Sequence, residues 1–414
     1  MTGGNSDYVD LQNPPDAYGD AGGATDGYGP RQNAPSPYGQ AVLAVADAGD
    51  AGSGSGGGGG TSSSVQLPSP YPSPSDPGLT DPLKSDKLRQ SFTDLTKKKA
   101  FAHLKLALVD LTGVGQGAAP YVGFKDRDLS FVGSIAKIAL ILPAFALRQA
   151  ARSAAALLVP PPSPGDFFNL LESAWDNDFR RGFRGGKAND SKPNLKAILA
   201  AKPASKKSAT LNVDFTMQQD QDIKKSGFRP RLVLALDLSV NAAAALCIND
   251  LGFPFIHEAH RAAGLDKDGL RLNLNFGGKF WDPSMSESQN ATARLIAELL
   301  VLIARDRLVA NGLATEIHDM METDFPDLVT GIDNLLPDAE RATLSRQGKI
   351  GYLDDGPFAD CSIIRRTTAK GTMLCYVAVA LGGKSHDEIK DVGAALDDCI
   401  LVAHGEPPKP AAAP

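Results

Sequence analysis

Basic residues are almost missing from the first fifth of this 414-residue chain, where Arg31 is the only one before Lys84. Gly, Ser, Pro, Ala and Asp dominate that stretch instead. Such a segment buries too little apolar surface to offset the entropy lost on ordering, so residues 1–84 read as a disordered low-complexity arm and linker. Cysteine is scarce as well. Cys247, Cys361, Cys375 and Cys399 form no C-x-x-C pair and lie in apolar surroundings, which predicts buried free thiols and argues against a metal site. Nothing in the sequence asks for a cofactor. The start, Met1-Thr2-Gly3-Gly4, has no basic region followed by an apolar run. No secretory signal is therefore read, and the cytoplasm is the default compartment. A long uncharged apolar run is also lacking. The most apolar stretch, 135–159, contains Lys137, Arg148 and Arg152. It is expected to be a buried amphipathic helix, with no membrane span. The net charge of −6 argues against nucleic acid as a partner.

Hydrophobic residues still make up 42% of the chain, enough for a sizeable core. Tyr8, Tyr18, Tyr28 and Tyr38 recur in the arm, which offers a surface for a protein partner or for self-association. Residues 52–64 read as a flexible linker and 68–82 as a stiffer, Pro-rich one. The folded domain is expected at 85–405, followed by a Pro/Ala-rich disordered tail, 406–414. Residues 88–103 predict a helix, 104–111 and 121–125 two strands, and 134–157 one long helix. Residues 167–208 read as helix and then a solvated basic loop, including the RGFRGG run. Residues 290–309 predict an amphipathic helix, 358–366 and 373–381 two apolar strands, and 387–402 a closing helix. The first strand pair alone cannot bury its faces, so the strands from both ends are expected to share one sheet.

Three short motifs carry the chemistry. Ser134 and Lys137 are three apart and so share one helical face. A serine hydroxyl needs a neighbour to take its proton, and a lysine in apolar surroundings can do so once burial lowers its pKa. Gly133 permits a tight entry that puts Ser134 at the positive end of the helix. Ser239 and Asn241 precede an Ala-rich helix, where the Asn amide can hold a carbonyl and the Ser can relay a proton. Lys349, followed by Ile350 and Gly351, supplies positive charge on a strand that a substrate can lie along.

In this order the motifs resemble those of the serine β-lactamases and penicillin-binding DD-peptidases, S-x-x-K, S-x-N and K-[TS]-G. The resemblance runs from about residue 102 to 403. It implies a three-layer α+β fold, with an antiparallel sheet of about five strands flanked by helices and an all-helical subdomain. It implies Ser134 as nucleophile, Lys137 as base, Ser239 and Asn241 lining the cleft and Lys349 on the opposite wall. The oxyanion hole would be the backbone N–H groups of Ser134 and Tyr352, with Ile350 and Gly351 at the substrate. The reaction implied is acyl transfer from a small amide or ester, peptide- or β-lactam-like. Members of this family mostly work outside the cytoplasm, in tension with the absent leader.

Two departures stand out. Ile350 replaces the Thr or Ser of the third motif and removes a hydroxyl for a substrate carboxylate. No E-x-x-L-N signature is present, and Glu258, Asp266, Asp282 and Glu287 offer no clear substitute for the base that activates a deacylating water. Efficient β-lactam hydrolysis is therefore not expected. The competing Lys370-Gly371-Thr372 is set aside because only one strand follows it. The alternative reading is an impaired relative that binds or scaffolds through its N-terminal arm.

Overall fold

The computed structural model describes residues 41–44 and 64–409, apart from 74–75, 84–85, 116, 184–189, 206–209, 266–268, 285–288, 310–311, 322–325, 346 and 354–355. The Tyr repeat, most of the Gly-rich linker and half of the RGFRGG run lie outside the described residues.

The fold is mixed α+β. Its main sheet is built from β1 (Lys105–Asp110), β2 (Ala119–Phe124), β3 (Gln347–Gly351), β4 (Phe358–Thr367) and β5 (Met373–Gly383). The strand order is β3-β4-β5-β1-β2, all antiparallel, with Leu79–Thr80 added parallel to β2 at the far edge. Strands from the two ends of the chain thus meet where β5 pairs with β1. The sheet has six strands where about five were expected, and the sixth comes from the segment read as linker.

The apolar run of β1 follows from burial on both faces. Ala107 and Val109 enter one core, while Leu106 and Leu108 enter the other. On the second face pack α1 (Lys87–Thr96), α5 (Asp327–Asp333) and α6 (His386–Ala403). On the first face pack α2 (Ile141–Leu157) and α4 (Ala293–Ala304). The remaining helix needed for the site, α3, spans Asn241–Leu251. Thr292 caps α4 by accepting from the Leu295 N–H, so this helix starts later than the 290 expected from its pattern.

Several expectations are corrected. The long helix expected from Ser134 is a 3-10 segment, Gly133–Leu140, running into α2. Pro143 sits in the first turn of α2, where its missing N–H is tolerated. The carbonyl of Ala139, four residues earlier, lies 2.9 Å from His260 Nε2 instead. By length and composition 133–157 could cross a membrane, yet 89% of its most apolar window is buried inside the protein. The central region is not all helical. Leu199–Pro203 and Leu211–Phe215 form a hairpin whose alternate residues are buried, a pattern masked by its lysines. A second small sheet joins Ser130–Phe131, Gln289–Ala291 and Leu270–Leu272.

The packed chain also extends beyond both expected ends. Leu67 and Tyr71 are buried, and Tyr71 donates to the Asp178 carbonyl at 2.9 Å. Trp175 Nε1 donates to the Pro68 carbonyl, also at 2.9 Å. At the other end Glu406 is buried and pairs with Lys370, while Lys409 pairs with Asp397. Of the expected disordered tail, Glu406 and Lys409 are therefore tied to the fold, and 410–414 lies outside the described residues.

Candidate active site

Lys137 lies in the 3-10 segment with its side chain fully buried. Its Nζ is 3.0 Å from Ser134 Oγ, 2.6 Å from the Ser239 carbonyl, 3.2 Å from Ser239 Oγ and 2.7 Å from Asn241 Oδ1. An ammonium has three N–H donors, one fewer than these four oxygens. As a neutral amine it would donate to the two closest oxygens, Ser239 O and Asn241 Oδ1, and turn its lone pair to a serine hydroxyl. Burial, with help from the nearby Lys349 charge, lowers the Lys137 pKa to about 7. The structure thus brings Ser134, Lys137, Ser239 and Asn241 together.

Local backbone explains how. Ser239 has φ 57, a left-handed conformation unusual for a residue with a Cβ. That turn directs both its carbonyl and its hydroxyl at Lys137. Asn241 is the first residue of α3, but its side chain is not spent as a helix cap, and it accepts from Lys137 instead.

Lys349 is buried in edge strand β3, opposite Cys361 of β4. Burial lowers its pKa to about 8, against the pull of Cys361, Asp360 and Asp237. Its side chain makes no hydrogen bond among the described residues. Ile350 is half-buried and offers no hydroxyl.

Gly351 sets the approach of β3 to the Ser134 segment. A Cβ there would collide with the Val132 carbonyl oxygen and stand 3.0 Å from the Ser134 nitrogen. Gly133, at φ 49, would place a Cβ 3.1 Å from the Tyr352 nitrogen. The amides of Ser134 and Tyr352 therefore lie close together across this contact. Among the described residues neither donates to another backbone group.

Solved structures similar to the chain include β-lactamases. One from Sphaerobacter thermophilus has a TM-score of 0.43 at 13% identity, covering 78% of this chain and 98% of its own. One from Chitinophaga pinensis scores 0.44 at 14% identity, with 77% and 100% covered. The TLA-3 extended-spectrum β-lactamase scores 0.44 at 13% identity, with 76% and 98% covered. No family model and no curated protein matches the sequence. The functional reading rests on the geometry of the site itself.

The candidate deacylation carboxylates do not reach this centre where they are described. Glu258 pairs with Arg261, and Asp282 accepts from the backbone and hydroxyl of Ser284. Asp266 and Glu287 lie outside the described residues. Lys370 of the rejected motif sits in the turn between β4 and β5 and pairs with Glu406. A residue missed from sequence is Phe276, whose ring centroid is 4.7 Å from Lys137 Nζ. The run Asn275-Phe276-Gly277-Gly278 signals a turn but gives no hint of this contact.

Proposed function

We propose that the chain is a serine hydrolase that forms an acyl-enzyme on Ser134 with a small amide or ester, peptide- or β-lactam-like. Neutral Lys137 takes the proton of the Ser134 hydroxyl as Oγ bonds to the substrate carbonyl carbon. The negative oxygen is received by the backbone N–H groups of Ser134 and Tyr352. Ser239 relays the proton from Lys137 to the leaving nitrogen or oxygen as its bond to carbon breaks. Asn241 orients Lys137 and the substrate, and Lys349 supplies positive charge from the opposite wall. Ile350 weakens capture of a substrate carboxylate, a loss of about 1–3 kcal/mol for a substrate that needs that hydrogen bond. Efficient β-lactam hydrolysis is accordingly not part of the proposal.

The observation that carries this reading is the buried Lys137 amine, within hydrogen-bond distance of Ser134, Ser239 and Asn241 at once. A fluorophosphonate probe is expected to modify wild type at Ser134 and to leave Ser134→Ala unmodified. Equal labelling of both proteins refutes the assignment.

A further inference from the structure

Four non-glycine residues among those described have left-handed backbone: Lys125, Ser239, Phe276 and Asp306. Two of them, Ser239 and Phe276, meet Lys137. Strained conformations persist only where their surroundings enforce them, and they concentrate at functional sites. At Phe276, with φ 64, the enforcement is visible. Asn275 Oδ1 accepts from the N–H groups of Gly277 and Lys279, both at 2.9 Å. Asn275 Nδ2 donates to Asn249 Oδ1 on α3 at 3.0 Å. The neck of the loop is closed by Asn273, which donates to the Asp282 carbonyl and accepts from its N–H. Gly277 rests against Ala245 of α3, where a Cβ would stand 3.1 Å from the Ala245 methyl. The loop is thus clamped to the same helix that presents Asn241, and its tip lays the phenyl ring over the lysine amine.

We propose that Phe276 is a positioning residue that covers Lys137 and keeps water from its amine, so that an acyl group on Ser134 is long-lived. The inference rests on the acylation reading above. To hydrolyse the ester, a water oxygen must bond to the acyl carbon while the bond to Ser134 Oγ breaks. The water gives one proton to a base, and Oγ regains one. Among the described residues, the only basic group within hydrogen-bond reach of Ser134 Oγ is Lys137. A water that uses this amine must displace the ring. Acylation needs no such water, since the hydroxyl that gives up its proton, on Ser134, already lies 3.0 Å from the amine. Phe276 therefore slows the second half of the reaction and spares the first.

The test uses the full chain and p-nitrophenyl acetate, followed by p-nitrophenol release and by the intact mass of the protein. Phe276→Gly removes the ring at a position where glycine adopts the left-handed backbone without strain, so the loop keeps its shape. Phe276→Leu keeps an apolar cover and serves as the conservative variant. Wild type is expected to release one equivalent of p-nitrophenol quickly and then turn over slowly, with the acetyl group on Ser134. Phe276→Gly is expected to lose the acetyl group at least about ten-fold faster, and Phe276→Leu to resemble wild type. A second readout is the pH at half-maximal acylation. The other charged group facing Lys137 is Lys349 from β3, itself influenced by Asp237 and Asp360, while Ser134, Ser239 and Asn241 are neutral. Water entering beside Lys137 stabilises its charged form, so the midpoint moves up in Phe276→Gly. A ring acting only through its attraction for the ammonium would move it down on removal. An unchanged adduct lifetime, or a midpoint that stays or falls, overturns the inference while leaving acylation intact. No acetyl group on wild-type Ser134 overturns the acylation reading and this inference together.

Discussion

At pH 7 an ordinary lysine with a pKa of 10.5 is neutral in roughly one molecule in three thousand. Lys137, lowered to about 7, is neutral in roughly half. Burial and the nearby Lys349 thus raise the supply of base by about a thousand-fold at neutral pH, and the effect has a measurable profile. The rate of Ser134 labelling by a fluorophosphonate should rise about ten-fold per pH unit below 6 and level off above about 8, with its midpoint near 7. The sign follows from the base being the unprotonated form, so activity is gained as the proton leaves. Lys349→Met tests the cause. Removing that positive neighbour relieves the charged form of Lys137, and the midpoint should rise. It should remain well short of 10.5, because burial is the larger influence. Lys349 itself titrates at about 8, so the two lysines report as a coupled pair and the rise will be broader than for a single group. A midpoint at 9 or above, or a rate flat between pH 6 and 9, refutes the role given to Lys137.

Gly351→Ala should cut labelling by about a hundred-fold or more, since the added methyl drives β3 off Val132 and parts the Ser134 and Tyr352 amides; a rate near wild type would count against the pairing of those amides. Asp397 is fully buried and accepts from Arg366 Nε and Nη2 at 3.0 and 2.8 Å and from Tyr376 at 2.5 Å, so Asp397→Ala should cost about 3–5 kcal/mol in a denaturant titration. Asp360 is raised to about 8 by burial, and the folded protein then keeps a proton that the unfolded chain releases near 4. Its contribution to stability falls as pH rises from about 4 to 8. Asp360→Asn, which retains an oxygen for the Leu328 N–H, should therefore melt higher than wild type at pH 8–9.

The strands and the closing helix were legible because long apolar runs bounded by turn formers leave little choice of structure. β4, β5 and α6 fall within a few residues of their expected bounds. The candidate residues that meet at Lys137 were legible as spacings, Ser134 to Lys137 and Ser239 to Asn241, in a fixed chain order. What stayed hidden depends on contacts between distant segments. Leu67 and Tyr71 look like linker because their partners, around Trp175 and Phe255, lie over a hundred residues away. The 3-10 start of the Ser134 helix is coupled to its contact with β3, which no local pattern encodes. Phe276 was invisible for a related reason. Its left-handed backbone is imposed by Asn275 and by the side of α3, and phenylalanine has no intrinsic preference for it.

The meeting of Gly351 with Val132 also bears on when in folding the proposed site is completed. The two amides it brings together belong to residues more than two hundred positions apart, one near the start of the packed chain and one in the strand that completes the edge of the sheet. Closing so long a loop is slow, and its entropy is lost before the contact rewards it. A nascent chain that has already formed the Ser134–Lys137 pair still lacks the second amide until β3 docks. Probe reactivity should therefore appear late in refolding, after the helices have formed, and its rate should track completion of the sheet. The site then doubles as an internal clock for the last step of folding.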